Sequence, residues 1–158
     1  MPTFQTRHHV PYTPRQMFDL VADVEQYPHF LPMCESLSVR SREVGEDHTV
    51  LVARMSVGYK AIQESFTSRV TLHPADPKVL VEYLDGPFRY MQNRWLFRPV
   101  KGGCEIDFWI DYEFRSRMLG MLMGALFDKA FRRFAIAFEE RAAVVYGRPT
   151  GLPLASTT

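Results

Sequence analysis

The sequence predicts an α+β domain in which a curved antiparallel sheet of about seven strands wraps one long C-terminal helix, with two short helices after the first strand. Three observations carry this. Helical periodicity persists from roughly Ser116 to Tyr146. Period-two alternation, cut by turn signals, runs from Cys34 to Phe114. A helix-start signal follows the first strand at Thr13. Strands in a row, with helices outside that run, place the helices on one face of an antiparallel sheet. There is no internal repeat.

Thr3 to Val10 alternates loosely, with Phe4, Thr6, His8 and Val10 on one face, and reads as a strand. Thr13 then serves as N-cap, Pro14 suits the first helical position, and Gln16 completes a capping box. Met17, Phe18, Leu20, Val21 and Val24 form an apolar stripe, so this helix is expected to run to about Val24. Pro28 and Pro32 forbid a regular helix through Tyr27 to Met33, where a short helical turn and a loop fit better. That connector is apolar enough that it must pack on something.

Leu37 and Val39 open the strand run. Leu51, Ala53, Met55, Val57 and Tyr59 alternate with Val52, Arg54, Ser56, Gly58 and Lys60. Ile62, Phe66, Val70 and Leu72 alternate with Gln63, Ser65, Thr67, Arg69 and Thr71. Turns are expected at Gly45 to Asp47, His73 to Pro77, Asp85 to Pro87 and Lys101 to Gly103. Strands Val79 to Leu84 and Phe88 to Arg98 lie between the last three. In the final strand Cys104, Ile106, Phe108, Ile110, Tyr112 and Phe114 share a buried face. Glu105, Asp107, Trp109, Asp111 and Glu113 share the solvated one.

The last helix carries the stripe Leu119, Leu122, Met123, Leu126, Phe127, Ala130, Phe131, Phe134, Phe138, Ala142 and Val145. Its thirty-odd residues span roughly 45 Å. Gly147 and Pro149 stop it, and Arg148 to Thr158 reads as a disordered tail beyond a single domain of residues 1–147.

The chain has 158 residues, 46% hydrophobic and 23% charged, which suits one globular domain. The net charge of +1 argues against a large basic face for DNA. Cys34 and Cys104 lack CxxC or metal-ligand spacing and read as reduced thiols. No secretory h-region opens the chain, and the apolar stretch Met118 to Phe127 falls short of a bilayer span. The expected location is cytoplasmic, with contact to a membrane surface allowed.

Motifs for nucleotide, zinc-protease or serine-hydrolase chemistry are absent. His8, His9, His29, His48 and His73 show no i, i+4 pairing, so no metal site is expected. No catalytic residue is assigned: Cys104 has a core parity, and the carboxylates of the last strand lie on its outer face. Glu64 shares a face with Ile62 and Phe66, and an inward carboxyl needs a partner. It either meets a ligand's polar head, pairs with an inward Arg or His, or is turned out by a bulge. Asn93 and His8 also have inward parity. The stripe Phe127, Phe131, Phe134 and Phe138 is either ordinary core or one wall of a pocket. Trp95, Phe97, Phe108, Ile110, Met55, Tyr59 and Phe66 face it, an excess of bulk that suits an apolar site.

Tyr27-Pro28-His29-Phe30-Leu31-Pro32-Met33-Cys34-Glu35-Ser36 resembles the loop motif of the coenzyme Q-binding family of START-like domains, within the polyketide cyclase/dehydrase superfamily. Trp95-Leu96-Phe97-Arg98-Pro99 resembles its tryptophan strand. Cys104-Glu105-Ile106-Asp107-Phe108 through Tyr112-Glu113-Phe114, then Ala137-Phe138-Glu139-Glu140-Arg141-Ala142 and Tyr146-Gly147, resemble its C-terminal signature. The resemblance spans roughly Thr3 to Gly147 and implies a helix-grip fold with a hydrophobic tunnel.

It further implies binding of ubiquinone or a related isoprenoid, in support of respiratory electron transfer, without catalysis or a catalytic cofactor. Residues implied to contact ligand are Tyr27, Phe30, Leu31 and Met33 at the tunnel mouth, Trp95 and Phe97 on the sheet, and Phe127, Phe131 and Phe134 on the helix; inward parity adds Met55, Phe66 and Phe108 as ligand contacts. By parity, Glu64 and Asn93 are the candidates for contact with a polar head. Met118, Leu119, Met121 and Leu122 are placed to touch a membrane, peripheral to the inner membrane, or to form a dimer contact. The family also includes bacterial ribosome-association toxins, which implies a ribosomal subunit as an alternative partner. START-like folds include polyketide cyclases, a third reading as an enzyme.

Overall fold

The computed structural model describes residues 3–59 and 62–148. Strand β1 (Thr3–Val10) leads into helix α1 (Pro14–Ala22) and a 3₁₀ helix (Val24–His29). Six strands follow: β2 (Cys34–Val44), β3 (Thr49–Tyr59), β4 (Ile62–His73), β5 (Lys78–Asp85), β6 (Phe88–Val100) and β7 (Gly103–Phe114). Helix α2 (Arg117–Tyr146) closes the fold.

The α1 start follows the capping-box reading. Thr13 Oγ1 accepts from the Gln16 N–H, and Gln16 Oε1 accepts from the Thr13 N–H. The helix ends at Ala22, earlier than expected. Asp23 leaves helical geometry with ψ 68, and Val24 opens the 3₁₀ helix that contains Pro28. At α2, Ser116 caps the first turn by accepting from the Leu119 N–H.

The seven strands form one antiparallel sheet in the order β1-β7-β6-β5-β4-β3-β2. The chain therefore crosses from β1 to the far edge through α1 and the 3₁₀ helix, then meanders back until β7 pairs with β1. The four expected turns fall where Gly, Pro and Asp predicted them, and no turn was expected between β3 and β4. Gly86 holds φ +144, which only glycine adopts readily. Gly103 is required by contact, since a Cβ there would sit 1.9 Å from the Val10 carbonyl oxygen. Register shifts at Cys34/Ser36 and Val39/Ser41 in β2, at Thr67/Ser68 between β4 and β5, and at Phe88/Tyr90 in β6 bend the sheet. The result is a concave face that cups α2.

Helix α2 packs against α1, β1 and β7. This end is filled by Met17 and Val21 of α1, Phe97 of β6, Cys104 and Ile106 of β7, and Phe138 and Ala142 of α2, all nearly or wholly out of solvent.

Three expectations are corrected. Asp107 is buried at 2% exposure, although its parity is outward. Its strand is interior to the sheet, and Gln5 and Arg7 of β1 reach over it, with Nε2–Oδ1 3.0 Å and Nε–Oδ2 3.5 Å. Leu122 and Val145 are exposed whereas Ala135 is buried, because a thirty-residue helix rotates its stripe away from any fixed spacing. Tyr59, at the end of β3, is exposed too. Lys60 and the expected tail beyond Arg148 lie outside the described residues.

Candidate ligand-binding cavity

Opposite the filled end, the sheet and α2 enclose an apolar cavity of about 130 Å³. Strand alternation supplies most of the wall: Ala53, Met55 and Val57 from β3, Phe66, Ser68 and Val70 from β4, and Val79 and Val81 from β5. Phe88, Met91, Asn93 and Trp95 follow from β6, with Phe108 and Ile110 from β7. Phe127, Ala130, Phe131 and Phe134, spaced by three or four residues, project from α2 onto the same space.

The connector between the 3₁₀ helix and β2 closes one side with Tyr27, Leu31, Pro32, Met33 and Cys34. Met33 adopts the left-handed backbone conformation at φ 68, unusual for a side-chain-bearing residue. Its carbonyl accepts from the Gly58 N–H at 3.0 Å, which ties the connector to β3. The deep wall is fully buried at Val79, Trp95 and Phe108. Pro32, Met33, Leu37, Met55, Phe66 and Phe134 are half-buried, which puts the side nearest solvent between the connector, the β2–β4 edge and α2.

The volume decides what fits. An engineered apolar cavity of about 150 Å³ admits benzene, whereas drug-sized ligands occupy roughly 300–1,000 Å³. The space thus accommodates one six-membered ring, and a longer ligand must extend past the half-buried rim.

Aromatic packing stiffens the deep wall. Trp95 meets Phe108 edge-on at 4.6 Å and Phe138 at 5.2 Å. Its indole N–H donates to Asn93 Oδ1 at 3.0 Å, and Asn93 Nδ2 donates to the Trp109 carbonyl at 2.8 Å. Asn93 therefore faces the cavity as predicted, but its amide is engaged in fixing Trp95. The Tyr27 hydroxyl donates to the Val21 carbonyl. Burial raises the Tyr27 phenol, reinforced by Cys34 and Asp23. Burial also pushes the Cys34 thiol up to about 11, so it is protonated at neutral pH and a weak nucleophile.

The structure brings Tyr27, Leu31, Met33, Met55, Phe66, Trp95, Phe108, Phe127, Phe131 and Phe134 to one space. Phe97 is elsewhere: it points to the filled end, with Phe18 edge-on at 6.1 Å. Phe30 is also displaced. It packs on Phe138 at 5.1 Å under the Arg141 guanidinium, outside the cavity wall. Glu64 is half-buried opposite Val57 and does not line the cavity. His8 has a partner the sequence did not reveal, Glu139 of α2, at Nε2–Oε1 2.8 Å. Cys34, Ser68, Val79, Phe88 and Met91 join the wall unannounced. Ser68 was readable, since it shares parity with Phe66 and Val70. Trp109 lies on the convex face beneath the Arg94 guanidinium at 5.0 Å, as its parity required.

Among the described residues no group of three or more His, Cys, Asp or Glu is placed to hold a metal ion. No helix in them is long and apolar enough to cross a membrane.

Known proteins place this architecture. A START superfamily protein from Mycobacterium smegmatis shares the fold at TM-score 0.75 and 18% identity, covering 90% of this chain and 98% of that one. A protein of Rickettsia prowazekii named ribosome association toxin RatA is 33% identical over 148 residues, 92% of this chain and 99% of that protein. The Xenopus laevis protein named coenzyme Q-binding protein COQ10 homolog B, mitochondrial, is 33% identical over 146 residues, 89% of this chain and 57% of that protein. The family model described as polyketide cyclase / dehydrase and lipid transport matches residues 10–139, and the chain belongs to that family.

Proposed function

We propose that the protein binds ubiquinone or a related isoprenoid lipid, as a lipid-binding or chaperone-like protein supporting respiratory electron transfer. The observation that carries this reading is the cavity wall. It is made of aliphatic, aromatic and methionine side chains, and among the described residues it contains no carboxylate, imidazole or ammonium group. Such a space suits an uncharged, ring-bearing apolar ligand. It offers no base at neutral pH, because its two titratable groups, Tyr27 and Cys34, are both held protonated by burial. The relative named for coenzyme Q binding, 33% identical over 89% of this chain, supports the same class of ligand.

Loading from a membrane fits the outer surface of α2. Met118, Met121 and Leu122 are 71%, 82% and 52% exposed, with exposed Arg115 and Arg117 beside them. Apolar side chains flanked by cations suit an anionic lipid surface. The protein would then work in the cytoplasm, peripheral to the inner membrane.

The test is organic extraction of purified protein and mass spectrometry for ubiquinone, repeated with Trp95→Ala. Wild type is expected to carry or take up the quinone, and Trp95→Ala to lose most of it. Absence of bound isoprenoid together with no uptake of added quinone rejects the reading. For loading, flotation with anionic vesicles should fall when Met118, Met121 and Leu122 are replaced by Ser.

A second reading, association with a ribosomal subunit, is favoured by the RatA relative, 33% identical over 92% of this chain. Exposed Arg40, Lys129 and Arg133 are available to phosphates, whereas Arg132 and Arg42 already pair with Asp128 and Glu25. Binding by so few cations should be strongly salt-sensitive. Co-sedimentation with ribosomal subunits at physiological salt, lost in Lys129→Glu with Arg133→Glu, supports it; no co-sedimentation rejects it.

A further inference from the structure

Four of the side chains that line the cavity carry a polar group other than the Trp95 indole: Tyr27, Cys34, Ser68 and Asn93. Three of them are engaged within the protein. Tyr27 donates to Val21, Asn93 bridges Trp95 and Trp109, and the Cys34 thiol lies 3.8 Å from the Ser36 carbonyl. Ser68 is the exception. It is 5% exposed, and its Oγ has no hydrogen-bond partner. Leaving a hydroxyl buried and unpaired is costly, so native proteins rarely do it without use.

The surroundings disfavour the ordinary remedy. A buried water needs two to four polar partners. The cross-strand neighbours of Ser68 are Ala53 on β3 and Tyr83 on β5, and its neighbours on the concave face of β4 are Phe66 and Val70. Of these only Tyr83 brings a second hydroxyl, and it already accepts from the Phe88 N–H. A ligand oxygen is different, because the ligand's own hydrocarbon fills the apolar surroundings. The strand is also locally reshaped. Thr67 pairs with Asp85 and Ser68 with Tyr83, which leaves Leu84 as an extra residue on β5 across from Ser68. Bulges of this kind re-aim side chains beside binding sites.

We infer that the Ser68 hydroxyl donates a hydrogen bond to a carbonyl oxygen of the ligand's ring, so that the ligand enters ring-first and its tail leaves past the half-buried rim. This rests on the lipid-binding reading above and deepens it. It names the recognition point and sets the orientation. The cavity volume of about 130 Å³ is that of an unsubstituted ring, so the methoxy and methyl groups of a ubiquinone head must displace half-buried side chains of the rim.

The experiment compares decylubiquinone with 1-decyl-4,5-dimethoxy-2-methylbenzene, which carries the same tail and ring substituents but lacks the two ring carbonyl oxygens. Affinities are measured by calorimetry on wild type, Ser68→Ala and Ser68→Thr. Wild type should prefer the quinone by about fivefold, the value of one neutral hydrogen bond. Ser68→Ala should lose that preference with binding of the carbonyl-free compound unchanged, and Ser68→Thr should retain it. Ligand-free Ser68→Ala should melt at or above the wild-type temperature, because it removes an unpaired hydroxyl. A quinone preference that survives in Ser68→Ala overturns the role of Ser68 and leaves the lipid reading intact. A drop in melting temperature of more than about 4 °C also overturns it, by revealing a structural partner. Wild type that binds neither compound overturns both.

Discussion

The space between the sheet and α2 has two ends built from the same materials. Toward α1, it is filled: Phe97, Cys104, Ile106, Phe138 and Ala142 lie with Met17 and Val21, all nearly or wholly out of solvent. Toward β2–β5, equally apolar strands face the same helix across an open volume of about 130 Å³. Composition does not separate the two. The difference is coverage. Helix α1 lies over the ends of β6 and β7 and plugs one side. On the other side Val24 and Tyr27 of the 3₁₀ helix and the connector Leu31–Met33 complete the wall, and a volume remains between the strands and α2. An apolar face thus becomes core or cavity according to whether a second helix covers it.

The comparison breaks most readily at the helix stripe. Phe138 and Phe134 are one turn apart on α2, but Phe138 is wholly buried against Tyr27, Phe30 and Trp95, whereas Phe134 is half-buried on the cavity. Phe138→Ala should destabilise by about 3–5 kcal/mol, because the surroundings cannot collapse into the void. Phe134→Ala enlarges a space that already exists and should cost less than about 2 kcal/mol. Urea unfolding of both variants measures this, and equal losses would mean that the two ends are packed alike.

The opposite substitution should reverse the ranking. Ala142 has no exposed surface, so Ala142→Leu overpacks the solid end and should cost about 1–3 kcal/mol. Ala53 lines the cavity, where Ala53→Leu puts three carbons into empty volume. That variant should be neutral or stabilised in thermal melts while losing uptake of decylubiquinone. A destabilised Ala53→Leu would show that the volume is too fragmented to admit a side chain, and so a ring.

Much of this layout could be read beforehand. Alternation and turn chemistry located every strand after Cys34, and the capping box located α1, because these signals are local. The cavity wall was partly legible for the same reason: parity names which residues face α2. Parity cannot say how far along the concave face a residue sits. Phe97 has the same inward parity as Trp95, yet falls under α1 because it is one step nearer the filled end. Phe30 was assigned by neighbourhood in sequence, but the turn after the 3₁₀ helix rotates it onto Phe138. Asp107 was read as wet from alternation alone, which does not see that β1 returns to pair with β7 and covers it. Ser68 shares the inward parity of Phe66 and Val70, but a small polar residue within a strand carries no local signal of a binding role. Its interest arises only from the absence of a partner, a property of three dimensions.

The two cysteines give the subtlest probe of the comparison, since one belongs to each end. Cys104 lies in the filled end and Cys34 on the cavity wall. Burial raises both thiols from 9.0 to about 11. A raised folded-state value means that the fold favours the protonated form. The stability this supplies is complete below about pH 9 and declines as pH rises toward 11, when the unfolded chain ionises and the folded chain resists. The raised Tyr27 phenol and the Tyr112 phenol, pushed up to about 12 by burial, add to the decline above pH 10. Melting temperature should therefore be level from about pH 7 to 8.5 and fall beyond about pH 9. Cys34→Ala and Cys104→Ala should each make the fall shallower, and a melting temperature that rises with alkali contradicts the burial of both. A thiol reagent then separates the ends. Near pH 8, both cysteines should react slowly, and decylubiquinone should slow Cys34 further while leaving Cys104 unchanged. Equal protection of both would place the ligand's effect in the global stability of the fold and not in the cavity, because only Cys34 shares a wall with it.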